Sequence, residues 1–350
     1  MMSLHMTSMQ RVLTTLKHQE PDRVPLCLPY TMHGAKELGI SIKEYYSKAE
    51  NVAEGQLRVC AKFKNDCING YFYGPIEVEA WGGEVIFRED GPPNAGMPFI
   101  RKVEDIRGLT PPKVGECPCL IKSLDAQRIM KEKAGNDIAV MGTVMSPFSL
   151  PIMQMGFDKY IELIYENEEL FEHLMRINEE FCVDWANAQI DAGCTAICYF
   201  DPMSSTTIID KELYLKTGHK IAMRTLKRIK GPTATHFAAG RCLTILDDVI
   251  QTGTSVVGVS VLEDLEKIKN TCKGRISVMG NLNGIEMKRW TIAETTRIVK
   301  EAIAKAGKGG GFILSDNHGE IPLQVPDDVL HTIAEAVNDW GNYPLKWLER

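Results

Sequence analysis

The stretch that decides the fold is SVVGVSV, residues 255–261, an almost unbroken run of small and β-branched residues. An apolar run that does not alternate with polar residues predicts a strand buried on both faces, as in a parallel sheet. Short apolar or β-rich runs of this kind recur along the chain as RVPLCLPY (23–30), DCINGYF (66–72), IAVMGTVM (138–145), TAICYFD (195–201), ATHFAA (234–239), ISVMGNL (276–282) and FILSDNH (312–318). Together these runs predict eight strands.

The segments between the runs have helical spacing. Residues 42–63 and 169–193 place apolar residues three and four apart, and the second segment ends on Gly193, a typical helix C-cap. TIAE (291–294) is a capping box, and PDDVLHTIAEAV (326–337) starts with proline and two acids, as helices do. Eight buried strands that alternate with helices predict an α/β fold, a single-domain (β/α)8 TIM barrel that spans residues 1–350.

One segment departs from this alternation. Residues 74–137 are too many for a single crossover and are rich in glycine and proline, as in DGPPNAGMP (90–98). We expect an inserted excursion of hairpin and loops after the second strand, with a helix near LDAQRIMKEKAG (124–135), and not a second domain. Roughly the first ten residues are expected to be an extension or a remnant of expression cloning.

Composition and charge favour a small-molecule ligand. Hydrophobic residues make up 44% of the chain, enough for a sizeable core, and the formal net charge is −6. No run of lysine or arginine offers a surface to nucleic acid or to an acidic membrane. No apolar stretch approaches the roughly 20 residues of a membrane span, and the first residues lack a signal peptide's apolar region. We therefore expect a cytoplasmic protein that binds neither nucleic acid nor membrane.

The barrel prediction locates the chemistry, because barrel enzymes carry their active sites at the carboxyl ends of the strands. The polar and aromatic residues expected at that rim are Tyr30, His33, Tyr71, Tyr73, Ser146, Tyr199, Asp201, His236, Ser260, Asn281, Asn283, Asp316, Asn317 and His318. A histidine is more often structural than functional, but a rim position makes the two interpretations of His236 about equally good.

Four stretches at these positions carry a resemblance to a known family. They are RVLTTLKHQEPDRVPLCLP (11–29), GHKIAMRTLKRIKGPTATHFAAG (218–240), SVMGNLN (277–283) and GGGFILSDNHGEIPLQVPDDVL (309–330). Their order and spacing resemble the uroporphyrinogen decarboxylase superfamily, which holds the decarboxylase of haem synthesis and the corrinoid-dependent methyltransferases of one-carbon metabolism. The resemblance covers nearly the whole chain and implies the same barrel.

The decarboxylase branch is the less similar one. Its members have an arginine-bearing segment after strand one that faces the substrate's carboxylates, and here YTMHGAKELG (30–39) has no arginine. They also have an aspartate after strand two, where this chain has Tyr73. His318 matches the histidine of their Gly-His-Gly motif. Decarboxylation of a porphyrinogen remains an alternative that would depend on His318 and Tyr73.

The methyltransferase branch is more similar in the first half of the chain, through EPDRVP (20–25), GAKELGISIKEYY (34–46) and GPIEVEAWGGEV (74–85), which carries Glu77 and Glu79. Members that methylate a thiol bind zinc through His-x-Cys after strand five and a cysteine after strand eight. Here His236 matches, Ala238 replaces the first cysteine, and His318 is the nearest candidate for the second. Cys242 would reach the site only if the turn after strand five bends back.

The resemblance and these substitutions lead to one main hypothesis, a methyl transfer between a small methylated compound and a corrinoid protein. Imidazole and carboxylate in place of thiolate suit a zinc that polarises a methyl ether or alcohol oxygen, held by His236, His318 and an acid such as Glu79, Asp201 or Asp316. The alternative is that both histidines bind substrate without a metal. Residues expected to be catalytic are His236, His318, Tyr73 and Asp201. Residues expected to contact substrate are His33, Tyr30, Tyr71, Tyr199, Ser146, Asn281 and Asn283. A barrel that binds a ligand or a corrinoid protein without catalysis is a third hypothesis.

Overall fold

The computed structural model of the protein describes residues 6–349. Of the roughly ten residues predicted to be an extension, positions 1–5 lie outside the described residues, and Ser8 begins helix α1. Its strands are β1 Cys67–Asn69, β2 Val85–Ile86, β3 Asn94–Ala95, β4 Ala139–Met145, β5 Ala196–Phe200, β6 Thr233–His236, β7 Val256–Gly258, β8 Ser277–Leu282 and β9 Phe312–Asp316. Its α-helices are α1 Ser8–Leu16, α2 His33–Leu38, α3 Ile42–Tyr45, α4 Ala49–Lys62, α5 Ile76–Ala80, α6 Pro118–Ala134, α7 Pro151–Met155, α8 Phe157–Glu166, α9 Glu168–Asp191, α10 Lys211–Lys216, α11 Gly218–Leu226, α12 Leu246–Gln251, α13 Leu265–Cys272, α14 Ile292–Ala306 and α15 Asp327–Trp340.

Within the described residues, one curled parallel sheet of seven strands organises the fold, in the order β1-β4-β5-β6-β7-β8-β9. Helices connect successive strands, so the predicted α/β class and the parallel sheet are confirmed. These strands lie within the predicted runs 66–72, 138–145, 195–201, 255–261, 276–282 and 312–318, and β6 begins one residue before its run. The carboxyl ends of the strands therefore meet at one edge, where parallel α/β folds build their sites.

The run 23–30 forms less of a strand than its sequence suggests. It makes one isolated parallel bridge, between Leu26 and Leu314 of β9, and its Leu26 carbonyl accepts a hydrogen bond from the backbone N–H of Asp66, 2.7 Å away. Pro25 and Pro29 have no N–H to donate to a ladder. The side chain of Asn65 instead satisfies both backbone groups of Leu28.

The capping box predicted at Thr291–Glu294 is present at the start of α14. A cap that was not predicted from the sequence is Asn167, which accepts a hydrogen bond from the backbone N–H of Leu170 at the N-terminus of α9. The predicted helix 42–63 is two helices, α3 and α4. The side chains of Ser47 and Asn51 donate to the carbonyl of Glu44 and so replace helical hydrogen bonds at the break.

The segment 74–137 contains α5, a short antiparallel pairing of β2 with β3, two 3-10 turns and α6. Strands β2 and β3 form a separate two-stranded sheet, with Val85 opposite Ala95 and Ile86 opposite Asn94. Helix α6 covers the predicted helix 124–135 but begins earlier, at Pro118, a residue type that favours the first turn of a helix. The segment therefore leads back to the sheet through α6.

A buried carboxylate joins the N-terminal helix to the sheet. Asp66, which directly precedes β1, is fully buried and lies 2.6 Å from Nη1 of Arg11 and 2.8 Å from Nη1 of Arg23. It also accepts hydrogen bonds from the Ser8 hydroxyl and the Leu26 backbone N–H. These contacts hold α1 against the amino ends of the strands.

The core lies between the sheet and its outer helices. The outward-facing strand residues Val140 and Ile197 are fully buried in one cluster with helical side chains such as Leu124 and Trp185. Val278 is buried in a second cluster with Leu330 and Ile333. None of the helices in residues 6–349 combines the length and the hydropathy that crossing a membrane requires.

Candidate active site

A cavity of about 230 Å³ lies inside the curled sheet and reaches the carboxyl ends of its strands. At that end it is lined by Tyr71, Phe200, His236, Asp316, His318 and Glu320. We call His236, Asp316, His318 and Glu320 the rim cluster. Three members of the cluster, His236, Asp316 and His318, were predicted at the rim from the sequence. They lie at the carboxyl ends of β6 and β9, which are 80 residues apart in the chain.

His236 is the last residue of β6 and is 3% exposed. Its Nδ1 accepts a hydrogen bond from the backbone N–H of Ala238 at 3.1 Å, which assigns the ring proton to Nε2. The ring stacks on Phe200 with centroids 5.4 Å apart. Burial, together with the nearby His318, lowers the pKa of His236 to about 4. His236 is therefore a neutral imidazole at neutral pH.

The local backbone explains how His236 fits at this position. Ala238 and Ala239 have positive φ angles of 49° and 64°, so the chain turns sharply as soon as β6 ends. The Ser260 hydroxyl donates to the Ala239 carbonyl and supports this turn. On the neighbouring strand, a Cβ at Gly258 would lie 2.3 Å from Cδ2 of His236. Only glycine at that position leaves room for the imidazole.

Asp316 and His318 lie at the end of β9. The buried Asp316 carboxyl accepts hydrogen bonds from the backbone N–H groups of His318 at 2.8 Å and Gly319 at 3.1 Å, which fixes the loop that follows the strand. Burial raises the pKa of Asp316 to about 7. His318 Nδ1 is 3.7 Å from Asp316 Oδ2, too far for a hydrogen bond, and has no partner within the described structure. The imidazole of His318 is therefore free for a ligand.

Glu320 completes the cluster, although the sequence analysis did not select it. Its Oε1 accepts a hydrogen bond from the Thr31 hydroxyl at 2.9 Å, and burial raises the pKa of Glu320 to about 7. The available signal was an acidic residue two positions after His318, in the same rim loop. The cavity thus has two carboxyl groups that hold a proton near neutral pH.

Several predicted site residues have partners elsewhere in the fold. The buried Asp201 carboxylate accepts hydrogen bonds from the Ser146 hydroxyl at 2.6 Å and from Ser149 at 2.8 Å. The Tyr73 hydroxyl donates to Glu79 at 2.6 Å. Asp201, Ser146, Tyr73 and Glu79 are not among the residues that line the cavity.

The remaining predicted contacts divide in the same way. Tyr71 lines the cavity, whereas Tyr30 and Tyr199 are buried in the core. Among the remaining predicted rim residues, several buried side-chain groups have no hydrogen-bond partner in the described structure. They are the hydroxyls of Tyr30 and Tyr199, both ring nitrogens of His33 and the side-chain amide of Asn317. Asn281 Nδ2 donates to the Ser260 carbonyl, and Asn283 Oδ1 caps the turn at Glu286.

The predicted zinc ligands do not form a metal site. Among residues 6–349, no three histidine, cysteine, aspartate or glutamate side chains come together as a metal would require. Glu79 is bonded to Tyr73, and Asp316 is occupied by two backbone N–H groups. Cys242 is buried, with its backbone N–H bonded to Glu263, and does not line the cavity. The donor set present at the rim therefore does not fit zinc.

The cavity is also without cations. No lysine or arginine is found among the described residues that line it, and most of its wall is apolar. An anion placed there would have no guanidinium or ammonium partner and would face two acidic groups. The electrostatics therefore favour a neutral ligand.

The two protonated acids predict a stability change with pH. Each carboxyl has a pKa raised in the folded state, so it binds more protons folded than unfolded. Its stabilising contribution is complete below about pH 4 and is lost as the pH rises through about 7. As the pH is raised from 5.5 to 8, we expect the free energy of unfolding of Glu320→Gln to increase relative to that of wild type by on the order of 1–2 kcal/mol. Urea unfolding at both pH values measures this difference. The same change in unfolding free energy between the two pH values for wild type and variant would contradict it.

Comparison with known proteins agrees with this architecture. The family model "Uroporphyrinogen decarboxylase (URO-D)" matches residues 7–340. A methylcobamide:CoM methyltransferase of Methanosarcina barkeri strain Fusaro is 22% identical over 333 residues, which cover 93% of this chain and 96% of that protein. A uroporphyrinogen decarboxylase of Carboxydothermus hydrogenoformans is 28% identical over 274 residues, 75% of each chain.

Among solved structures, a methyltransferase from Methanosarcina mazei superposes with a TM-score of 0.80 at 19% identity, covering 96% of this chain and 99% of that one. At this identity the superposition shows a shared fold. The family match covers nearly all of the residues that form the sheet and the rim cluster. The protein is a member of the uroporphyrinogen decarboxylase (URO-D) family.

Proposed function

We propose that the protein transfers a methyl group between a neutral oxygen compound, such as a methyl ether, and a corrinoid carried by a separate protein. The observation that carries this proposal is the rim cluster, which offers the neutral imidazole of His236, the imidazole of His318 and two protonated carboxyls in a cavity lined by no described cation. The methylcobamide:CoM methyltransferase with which the chain aligns over 93% of its length supports the corrinoid assignment.

The rim cluster has the chemistry that an oxygen leaving group needs. When the bond between the methyl carbon and oxygen breaks, both electrons stay on oxygen, and the resulting alkoxide or phenoxide must be protonated. Glu320 holds a proton near neutral pH and lines the cavity, so it is the candidate general acid. His236 hydrogen-bonds the substrate oxygen as a neutral donor. The corrinoid, when its protein docks, supplies the atom that accepts the methyl group.

We infer that residues 23–30 close the sheet into the eight-stranded barrel of the family. Support comes from hydrogen bonds of this segment to both sides, with Cys27 N–H donating to Leu314 of β9 and Asp66 N–H donating to Leu26. In this arrangement the docking face for the partner surrounds the rim. Exposed apolar side chains that follow β5, β7 and β8 at that face are Ile208, Val261, Leu262 and Ile285. Such exposed side chains suit an interface.

Porphyrinogen decarboxylation is less compatible with the cavity. A tetrapyrrole with many carboxylates needs guanidinium partners, and the described lining contains none. His318 lines the cavity, but Tyr73, the other residue on which this alternative depended, is bonded to Glu79 outside it. The same cavity therefore favours a neutral substrate over a polyanion.

A demethylation assay tests the proposal. The protein is mixed with a reduced corrinoid protein and either anisole or 4-methoxybenzoate, and the phenol formed is measured by chromatography. We expect corrinoid-dependent phenol from anisole and much less product from the anionic compound. Tyr73→Phe, which changes a hydroxyl outside the cavity, is the control and should retain activity. If none of the neutral ethers tested gives product, the proposal is contradicted, and a barrel that binds a ligand without catalysis is favoured.

The metal content gives a separate prediction. Because Glu79 and Asp316 are engaged by hydrogen bonds and no third ligand joins His236 and His318 within residues 6–349, we expect purified protein to contain far less than one zinc per chain. Elemental analysis of wild type and His236→Ala, after dialysis against zinc, should give the same low content for both. One zinc per chain in the wild type that is lost in His236→Ala would show that this account of the site is wrong.

A further inference from the structure

The inner face of the sheet is less packed than its outer face. Along β4, Met141, Thr143 and Met145 line the cavity and keep part of their surface accessible. Val140 and Val144 alternate with these residues along the strand and point to the outer face. Both are fully buried against the helices. The usual interior of such a barrel is filled with layers of branched side chains. Here the lumen side of β4 faces open space.

The neighbouring strand repeats this pattern. On β5, Ala196, Cys198 and Phe200 line the cavity and are partly accessible, whereas Ile197 and Tyr199 between them are fully buried. Small side chains at inner positions leave the lumen open. Other small lumen residues are Cys27, Cys67, Ala139 and Ala234.

The open space runs the length of the sheet. The cavity that includes the rim cluster is also lined by Ala139, the first residue of β4, and by Pro232 and Ser255, which directly precede β6 and β7. Val12 and Leu16 of α1 line it as well. A seven-residue strand such as β4 is about 20 Å long. The cavity is thus a channel between the rim cluster and α1.

The walls of this channel select an apolar occupant. A cavity of about 150 Å³ lined by apolar groups stays dry and binds benzene in another protein, and this one has about 230 Å³. Below the rim cluster its lining has no acidic or basic side chain in the described chain. A polar chain would lose its hydrogen bonds to water there, whereas an alkyl chain would bury its surface favourably.

We propose that the lumen, from Phe200 to Val12 and Leu16, binds a slim, neutral hydrocarbon chain of the substrate. Resting on the proposed function, this assigns the substrate to methyl ethers whose methoxy group lies at the rim cluster and whose unbranched chain extends toward α1. The occupant is a single small molecule, because all seven strands of the parallel sheet contribute side chains to the channel wall.

A homologous series of 1-methoxyalkanes, from methoxyethane to methoxyoctane, tests the channel by titration calorimetry without any corrinoid. We expect Kd to fall about fourfold for each added methylene until the channel is filled. Ala196→Leu places a larger side chain in the lumen, so the gain in affinity should stop at a shorter chain. Ala293→Leu, the same change on the exposed face of α14, is the matched control and should follow the wild type.

The outcomes separate the channel from the proposed function. Affinity that does not depend on chain length in the wild type, or an identical series in folded Ala196→Leu, would overturn the channel. If Ala196→Leu fails to fold by circular dichroism, the smaller Ala196→Val replaces it, and the wild-type series still decides. Length-dependent binding without methyl transfer would support the channel and overturn the proposed function.

Discussion

Glu320→Gln is expected to lower the rate of methyl transfer by about 100- to 10,000-fold, the usual contribution of a general acid. Glutamine keeps the size and the hydrogen bond from Thr31 but has no acidic proton. Because the pKa of Glu320 is about 7, the wild-type rate should fall as the pH rises above 7, and the remaining rate of the variant should lack this step. Single-turnover rates measured between pH 5.5 and 8.5 provide the comparison.

Glu54→Gln is the control for this substitution, because Glu54 lies on an exposed helical face beside Arg58. It should leave both the rate and the pH profile unchanged. A Glu320→Gln variant with the wild-type rate, or with the wild-type pH profile, would show that Glu320 is not the acid. The proton would then have to come from another member of the rim cluster.

Asp66→Ala is expected to lower the free energy of unfolding by about 3–5 kcal/mol. The substitution leaves Arg11 and Arg23 without the carboxylate that each contacts, and their side chains are only 8% and 14% exposed. It also leaves the backbone N–H of Leu26 without its acceptor. Urea unfolding monitored by circular dichroism measures the loss.

Asp125→Ala breaks an exposed ion pair with Arg128 and is the matched control. Exposed pairs contribute about 0–1 kcal/mol, so this variant should remain close to wild type. If Asp66→Ala lowers the free energy of unfolding by less than about 1 kcal/mol, the two arginines must form contacts with other partners. Arg11 already has one, since its Nε lies 2.7 Å from Asp22.

The fold was accessible from sequence because buried parallel strands have a strong local signal. The runs 138–145, 195–201, 276–282 and 312–318 contain strands in the structure, as a continuous apolar run predicts for a strand of a parallel sheet. The run 23–30 carries the same signal but forms two isolated bridges in place of a ladder, from Arg23 to Asn342 and from Leu26 to Leu314, because its two prolines cannot donate hydrogen bonds. Hydrophobicity alone does not show which residues lack the backbone N–H that a strand needs.

The site was accessible only in part. His236 and His318 reach the cavity because the end of a strand fixes where they lie. Asp201 and Glu79 are withdrawn from it by hydrogen bonds to Ser146 and Tyr73. Whether a carboxylate has such a partner depends on loop geometry and on residues up to 55 positions away in the chain. The spacing of apolar residues in the sequence does not predict these contacts.

Following the methyl group itself tests the central claim most directly. The protein is incubated with a reduced corrinoid protein and a methyl ether that carries a trideuterated methyl group, and the corrinoid is then analysed by mass spectrometry. The account predicts a trideuterated methyl group on the corrinoid with wild-type protein and very little with Glu320→Gln. Unlabelled corrinoid in every reaction, together with coproporphyrinogen formed when uroporphyrinogen is supplied instead, would contradict it.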